Sequence, residues 1–399
     1  MTTDIRDVSE AHVDRALELA DLAFHSKVGD ATRKRQREML LDCDRVGAYD
    51  GEEIIGFTAA HRLGLSIPGG QLPSAALDLV SVAPTHRRRG VLTAMMGELW
   101  RRCAAGRRPL ACLWASEDAI YGRFGFGPAT EGYSVEIDSS RPLDLRITPD
   151  RRLLRLLGPE DAVPVLAPLY EAGRARRAGR LARDEAWWRR SVLAQDDDDD
   201  DDGPARIVVL GDKGAPAAGY VIYRVDKETV TVQELEAADA PAAAALWTYL
   251  ASIDLTRKVR AWTTADDPLL LFAADRDRVR VTGQWPALWL RLVDVAEALT
   301  ARSWAAPVDL VLEVRDAALP ANAGRFRLTA DPSGAAYEPA DAPADLALDV
   351  RELAACYLGG TPVRRLVRAG LVEERTPGAA RLLDAALETE YLPFTAEDY

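Results

Sequence analysis

Cysteine and histidine are scarce in this chain, with four of each among 399 residues. Cys43, Cys103, Cys112 and Cys356 lie far apart without a CxxC pair, and His12, His25, His61 and His86 are equally scattered. That spacing supplies neither a disulfide framework nor the clustered ligands of a zinc site, so no metal centre is expected. Long apolar runs are missing as well. No window is apolar over the length needed to span a bilayer, and the N-terminal stretch MTTDIRDVSEAHVDRALELA lacks the pattern of a secretory signal. The expectation is a cytoplasmic protein with no membrane partner. Nor is there an excess of positive charge. Acidic residues number 63 against 50 basic ones, which argues against nucleic-acid binding and suits a cationic small molecule or peptide.

What is present is the make-up of an ordinary soluble globular protein, 48% hydrophobic and 28% charged. Its length exceeds the size at which single cores stop growing, so two or three domains are expected. Residues 1–140 alternate helical and strand patterns. An amphipathic stretch around VDRALELADLAF precedes VGAYDGEEIIGFTAAHRL, which reads as two strands joined at Asp50-Gly51. SAALDLVSVA reads as a buried strand, and VLTAMMGELWRRCAA has helical spacing with Leu92, Met95, Met96 and Leu99 on one face. The strand PLACLWAS, the helical turn AIYGRFG and the strand EGYSVEID close this segment as an α/β unit with a mixed sheet.

Residues 141–284 begin with a basic helical stretch, YEAGRARRAGRLARDEAWWRRSVLA, and break at the seven aspartates Asp196 to Asp202, read as a solvated loop tip. Beyond that run, ARIVVLGD, AAGYVIYRV, TVTVQELEAAD, APAAAALWTYLASID and VRAWTTA repeat the order of the first segment. The repeat reads as a second copy of the same fold without the arginines and glycine of the first. Residues 285–399 form a smaller α+β domain that ends in the extended tail EYLPFTAEDY.

The stretch VSVAPTHRRRGVLT, residues 80–93, places three arginines and Gly90 just before a helix. Backbone amides at a helix start, together with the positive end of the dipole, form an anion site. Arginines there raise repulsion unless an anion such as a pyrophosphate joins them. The pattern V-x-V-x-P-x-x-R-R-R-G-x-L resembles the acetyl-CoA pyrophosphate loop of GNAT N-acetyltransferases, with Leu92 where a small residue is usual. With ASE at 115–117 and IYGRFGFGPAT at 120–130, the whole chain resembles the Eis-type (enhanced intracellular survival) acetyltransferases.

That resemblance implies tandem GNAT folds, each a mixed sheet with helices, followed by a sterol-carrier-protein-like α+β domain. It implies acetyl-CoA as co-substrate, contacted by Val80, Ser81 and Val82 on a strand, by Arg88, Arg89, Gly90, Val91, Leu92 and Thr93 in the loop, and by Ser116 and Glu117. Tyr121 matches the family's general acid, and the C-terminal carboxylate, here that of Tyr399, its general base. A terminal tyrosine replaces the phenylalanine often found there. Asp398 is a candidate for attracting the amine; Asp78 and Glu98 are weaker ones. Aminoglycosides, lysine side chains and polyamines are the acceptor classes, and a homohexamer is the implied assembly. A noncatalytic acyl-CoA or lipid-binding protein is the competing reading.

Overall fold

In the computed structural model of the chain, residues 3–194 and 203–397 are described. The aspartate run at 196–202 and the last two residues, Asp398 and Tyr399, lie outside them. The strands in chain order are β1 (Asp4–Asp7), β2 (Asp44–Asp50), β3 (Glu53–Ile67), β4 (Gly70–Val82), β5 (Leu110–Trp114) and β6 (Gly127–Pro128), then β7 (Glu131–Asp138), β8 (Leu154–Leu157), β9 (Arg206–Leu210), β10 (Gly219–Asp226), β11 (Thr229–Ala237), β12 (Lys258–Thr263) and β13 (Val279–Pro286). They continue with β14 (Leu288–Leu292), β15 (Val308–Arg315), β16 (Gly324–Asp331), β17 (Gly334–Pro339), β18 (Leu346–Asp349) and β19 (Glu373–Glu374). Among the described residues they form three sheets, ordered β1-β2-β3-β4-β5-β14-β6, β13-β7-β12-β11-β10-β9-β8 and β17-β16-β15-β18-β19. The chain separates into two compact units, one built from the chain up to Thr130 together with Ala287–Pro393, the other from Glu131–Pro286 and Phe394–Glu397.

The strand EGYSVEID does not close the first sheet. As β7 it pairs antiparallel with β12 and β13 in the second sheet, whereas β14, read as part of the third segment, enters the first sheet between β5 and β6. By contact, the breaks between the two units fall after Thr130, Pro286 and Pro393. Alternating apolar residues establish that a segment is a strand but carry no information about its partner.

The expected hairpin is present, with Asp50 paired to Glu53 and Gly51 at φ +62° in the first of two loop positions. Helix α1 (Val13–Phe24) buries Val13, Ala16, Leu17 and Ala20 at helical spacing. Helix α2 (Asp30–Leu41) follows it. Helix α3 (Val91–Ala105) lays Val91, Met95, Met96, Leu99, Trp100 and Cys103 on the first sheet, so Val91 takes the buried place expected of Leu92, which is half-buried. Helix α4 (Asp118–Tyr121) is the short turn read from AIYGRFG. In the second unit the basic stretch is not one helix: α5 (Val163–Arg176) ends before Ala178–Arg183 and a short helix follows at Glu185–Trp187. In the first unit Arg291 on β14 and Asp316 after β15 form a sealed ion pair at 2.5 Å. Asp316 also accepts the amides of Ala318 and Leu319 and the Asn322 side chain.

Candidate active site

The first sheet splays beside α3. Strands β4 and β5 pair in parallel only from Ser74 to Ala76, so from Leu77 onward β4 has no ladder partner on that side. On its other side Ala83 N–H bonds Ile55 O at 2.9 Å. Two residues back, Ser81 faces Phe57, so strand alternation turns the backbone groups of Val82 and Val80 toward the open edge. Ser81 instead faces β3, and its hydroxyl donates to Phe57 O at 3.4 Å. A bulge opposite Thr58 precedes this stretch, with Leu79 in the left-handed region at φ +51°. A bulky residue there stores strain of order 1–3 kcal/mol. Asp78 supports the turn, accepting the Leu79 amide at 2.6 Å.

At the end of β4 the loop brings Gly90 to the N-cap of α3 at φ +83°, where no side chain caps the helix. A Cβ at Gly90 would meet no atom within 4 Å, so glycine serves the backbone angle and not a crowded contact with protein. Ala94 is the residue whose amide bonds back to Gly90 O, at 3.0 Å, which leaves the amides of Val91, Leu92 and Thr93 without intrahelical partners. Arg87 is tied down, with its guanidinium donating to Val82 O at 3.4 Å and Ala23 O at 3.3 Å. Arg88 and Arg89 are exposed, and neither side chain bonds or pairs with a described residue. Arg88 holds φ +62°. Two unengaged cations beside three free amides and a positive helix end suit a pyrophosphate, and the open strand edge suits an amide-bearing arm.

The second copy makes the contrast. Its equivalent helix, Ala240–Leu250, is capped by Asp239, which accepts the Ala242 amide at 2.9 Å. A carboxylate of the chain already occupies the place that an anion would take.

Tyr121, at the end of α4, is 4% exposed and packs edge-on against Phe126 with ring centroids 5.9 Å apart. The same apolar cluster contains Val91 and Met95 and is flanked by Val80, Val82 and Leu92, so acid candidate, strand edge and loop share one floor. Its hydroxyl bonds no described residue. Burial, reinforced by Glu117, pushes the phenol up to about 12, which keeps it protonated at neutral pH. Ser116 and Glu117 are exposed just before α4. Asp78 and Glu98 are otherwise engaged. Glu98 is held at about 2 by Arg101 and Arg102. Asp78 lies 3.5 Å from His61 Nε2, and His61 Nδ1 lies 3.0 Å from Cys43 Sγ. Burial opposes the charge on His61, but the bonds to Asp78 and Cys43 outweigh it and raise the imidazole to about 10. No motif in the sequence pointed to this chain of groups. Asp398 and Tyr399 lie outside the described residues; the tail before them, Phe394–Glu397, packs within the second unit.

Comparisons with known proteins agree with this geometry. Acetyltransferase (GNAT) domain families match residues 4–129 and 179–292, and the sterol carrier protein domain family matches 295–396. An uncharacterized N-acetyltransferase of Streptomyces avermitilis is 39% identical over 99% of both chains. N-acetyltransferase Eis of Mycobacterium tuberculosis is 34% identical over 89% of this chain and 88% of its own. The crystal structure of Eis1 from Mycobacterium abscessus superposes with a TM-score of 0.86 at 32% identity, covering all of both chains. With its tandem GNAT domains, its sterol-carrier-like domain and full-length relatives above 30% identity, the chain belongs to the Eis-type N-acetyltransferases of the GNAT superfamily and is an acetyltransferase.

Proposed function

We propose that this enzyme transfers acetyl from acetyl-CoA to primary amines of cationic acceptors, with Tyr121 as general acid and the Tyr399 carboxylate as general base. The observation that carries the reading is the uncapped start of α3 beside the unpaired edge of β4, with Arg88 and Arg89 paired to no described residue. Acetyl-CoA supplies an activated thioester. Arg88, Arg89 and the amides of Val91, Leu92 and Thr93 would hold its pyrophosphate, while the backbone of Val80 and Val82 would hold the pantetheine amides. Ser116 and Glu117 stand at the mouth of the same stretch by resemblance.

Tyr121 serves as a donor that keeps its proton until negative charge develops on sulfur. An ordinary thiol has a pKa of about 8.5, so complete transfer from a phenol at about 12 is uphill on the resting values. A hydrogen bond that strengthens as the thiolate forms is therefore its main contribution. An amine with a lysine-like pKa of about 10.4 arrives protonated, and a carboxylate at Tyr399, with Asp398 beside it, both attracts it and takes a proton. The net acidity of the chain, with 63 acidic and 50 basic residues, favours cationic acceptors. Aminoglycosides, lysine side chains and polyamines are the classes that the resemblance supports, and a homohexamer is the assembly.

The test is thiol release from acetyl-CoA in the presence of an aminoglycoside, a lysine-containing peptide and a polyamine. At least one of them should stimulate release. Acetyl-CoA binding with no stimulation by any amine would overturn this reading in favour of a noncatalytic acyl-CoA-binding protein.

A further inference from the structure

The motif IYGRFGFG carries three glycines, Gly122, Gly125 and Gly127, in and after the turn that presents Tyr121. Only Gly125 has a backbone reason to be glycine. It lies at φ +82°, where its N–H donates to Gly122 O at 3.0 Å and the Phe126 N–H donates to Tyr121 O at 3.3 Å, the pair of bonds that closes a helix end around a left-handed residue. Gly122 is at φ −55° and ψ −36°, ordinary helical angles that any residue adopts. Gly127 opens the two-residue strand β6, paired with Leu290 of β14, and is not in the left-handed region.

What these two glycines share with Gly125 is the close approach of the helix Val350–Tyr357 of the sterol-carrier-like domain. A Cβ at Gly122 would lie 2.6 Å from Arg351 Nη1 and 2.8 Å from its Cζ. One at Gly125 would lie 2.8 Å from Val350 Cγ1 and 2.8 Å from Cζ of the sealed Arg291, and one at Gly127 would run into Arg351 O and lie 2.8 Å from Ala355 N. Helix α4 is only four residues long, and an isolated turn of helix does not hold its own place. The Tyr121 hydroxyl bonds no described residue, so the phenol is located by its ring contacts and by the backbone against which these neighbours press.

Arg351 is the neighbour that stability explains least. Its side chain is exposed, and its guanidinium pairs with no described residue. The guanidinium lies 5.9 Å from the centroid of the Trp289 ring, and Trp289 belongs to the same apolar cluster as Tyr121. Its backbone is fixed by Asp349, which caps the helix and accepts the Arg351 amide at 3.0 Å. The guanidinium therefore fills the space between a buried indole and the Gly122 backbone instead of meeting a carboxylate.

We propose that the sterol-carrier-like domain is a working part of the acetyltransferase site: its helix Val350–Tyr357 holds the turn that presents the Tyr121 hydroxyl, and Arg351 is a positioning residue that acts through Gly122. The proposal rests on the reading of Tyr121 as general acid. Tyr121 directly precedes Gly122, so a shift of the turn is carried to the phenol, and misplacement of a reacting group by about 1 Å can cost about 10²-fold. None of the loop residues Arg88 to Thr93 takes part in the approaches at the three glycines, so cofactor affinity should not follow.

The experiment measures steady-state kinetics on the full chain, with acetyl-CoA and the most active amine among an aminoglycoside, a lysine-containing peptide and a polyamine. Arg351→Ala and Gly122→Ala are each made in wild type and in Tyr121→Phe. Gly122→Ala keeps the arginine but displaces its guanidinium, the flexible end of a long side chain. Each substitution should lower kcat by about tenfold in wild type, with KM for acetyl-CoA within about twofold. The melting temperature of Arg351→Ala should match wild type, since the exposed side chain forms no ion pair with a described residue. In Tyr121→Phe the same substitutions should change kcat by less than about twofold, because the group they position is gone. Wild-type kcat in Arg351→Ala, or an equal fold loss in both backgrounds, overturns the proposal. Wild-type kcat in Tyr121→Phe instead removes the acid reading on which it rests, so the two failures are distinguishable.

Discussion

Replacing Tyr121 with phenylalanine separates a catalytic hydroxyl from a structural one. The ring lies in the apolar floor against Phe126 and is 4% exposed, and the substitution keeps that packing. Its hydroxyl bonds no described residue, so removal leaves no partner stranded and stability at neutral pH should change by less than about 0.5 kcal/mol. As general acid the same hydroxyl should contribute about 10²–10⁴ in kcat, equivalent to about 2.7–5.4 kcal/mol of transition-state stabilisation. Alkaline stability offers an independent check. A folded pKa raised from 10.0 to about 12 means that the contribution of the neutral phenol is complete below pH 10 and is lost as pH rises through about 12. Two units correspond to about 3 kcal/mol, so wild type, nearly equal to Tyr121→Phe at neutral pH, should fall below it in stability by roughly that amount across this window. Steady-state kinetics and denaturant unfolding read both effects. A variant that keeps kcat within about twofold, or one that is destabilised by about 2 kcal/mol at neutral pH, would refute the assignment.

The remaining predictions concern the loop and two buried clusters. Arg88→Ala combined with Arg89→Ala should weaken acetyl-CoA binding by about 10²-fold or more, since each charge-assisted bond contributes about 1.5–3 kcal/mol, while the melting temperature stays unchanged because neither arginine pairs with a described residue; calorimetric titration reads the affinity. His61, raised from 6.5 to about 10, contributes stability that is complete below about pH 6.5 and is lost as pH rises through about 10. The deficit of His61→Leu relative to wild type in urea unfolding should therefore be largest near pH 6 and should close toward pH 10. Asp316→Ala leaves Arg291 sealed without its counter-charge and should destabilise the protein by about 3–5 kcal/mol, measured by denaturant midpoint.

Much of this architecture was readable because local chemistry is strong. The Asp50-Gly51 turn, the apolar face of α3 and the repeated strand order after Gly203 all follow from short-range pattern. What escaped was partnership. Glu131–Asp138 and Leu288–Leu292 alternate like any strand, and nothing within either marks that they belong to different sheets. Arg180 and Arg183 sit in a run of arginines that reads as a basic helical stretch, yet the Arg183 side chain is 1% exposed and faces carboxylates more than fifty and two hundred residues away. Glu397 looks like part of a soluble tail. Its significance appears only when Tyr170 and Arg183 are brought to it by the fold. In the site, the loop and Tyr121 were legible from motif, whereas the strained Leu79 and the chain of Cys43, His61 and Asp78 behind it were not.

The central claim is that this chain uses acetyl-CoA to acylate an amine through the site at β4 and α3. Mass spectrometry of an amine acceptor incubated with isotopically labelled acetyl-CoA, with wild type and Tyr121→Phe run side by side, tests it most directly. The account predicts a labelled acetyl group on the acceptor nitrogen, formed at least about 10²-fold more slowly by the variant. Equal labelling by the two proteins, or none by wild type with any cationic amine, would contradict it.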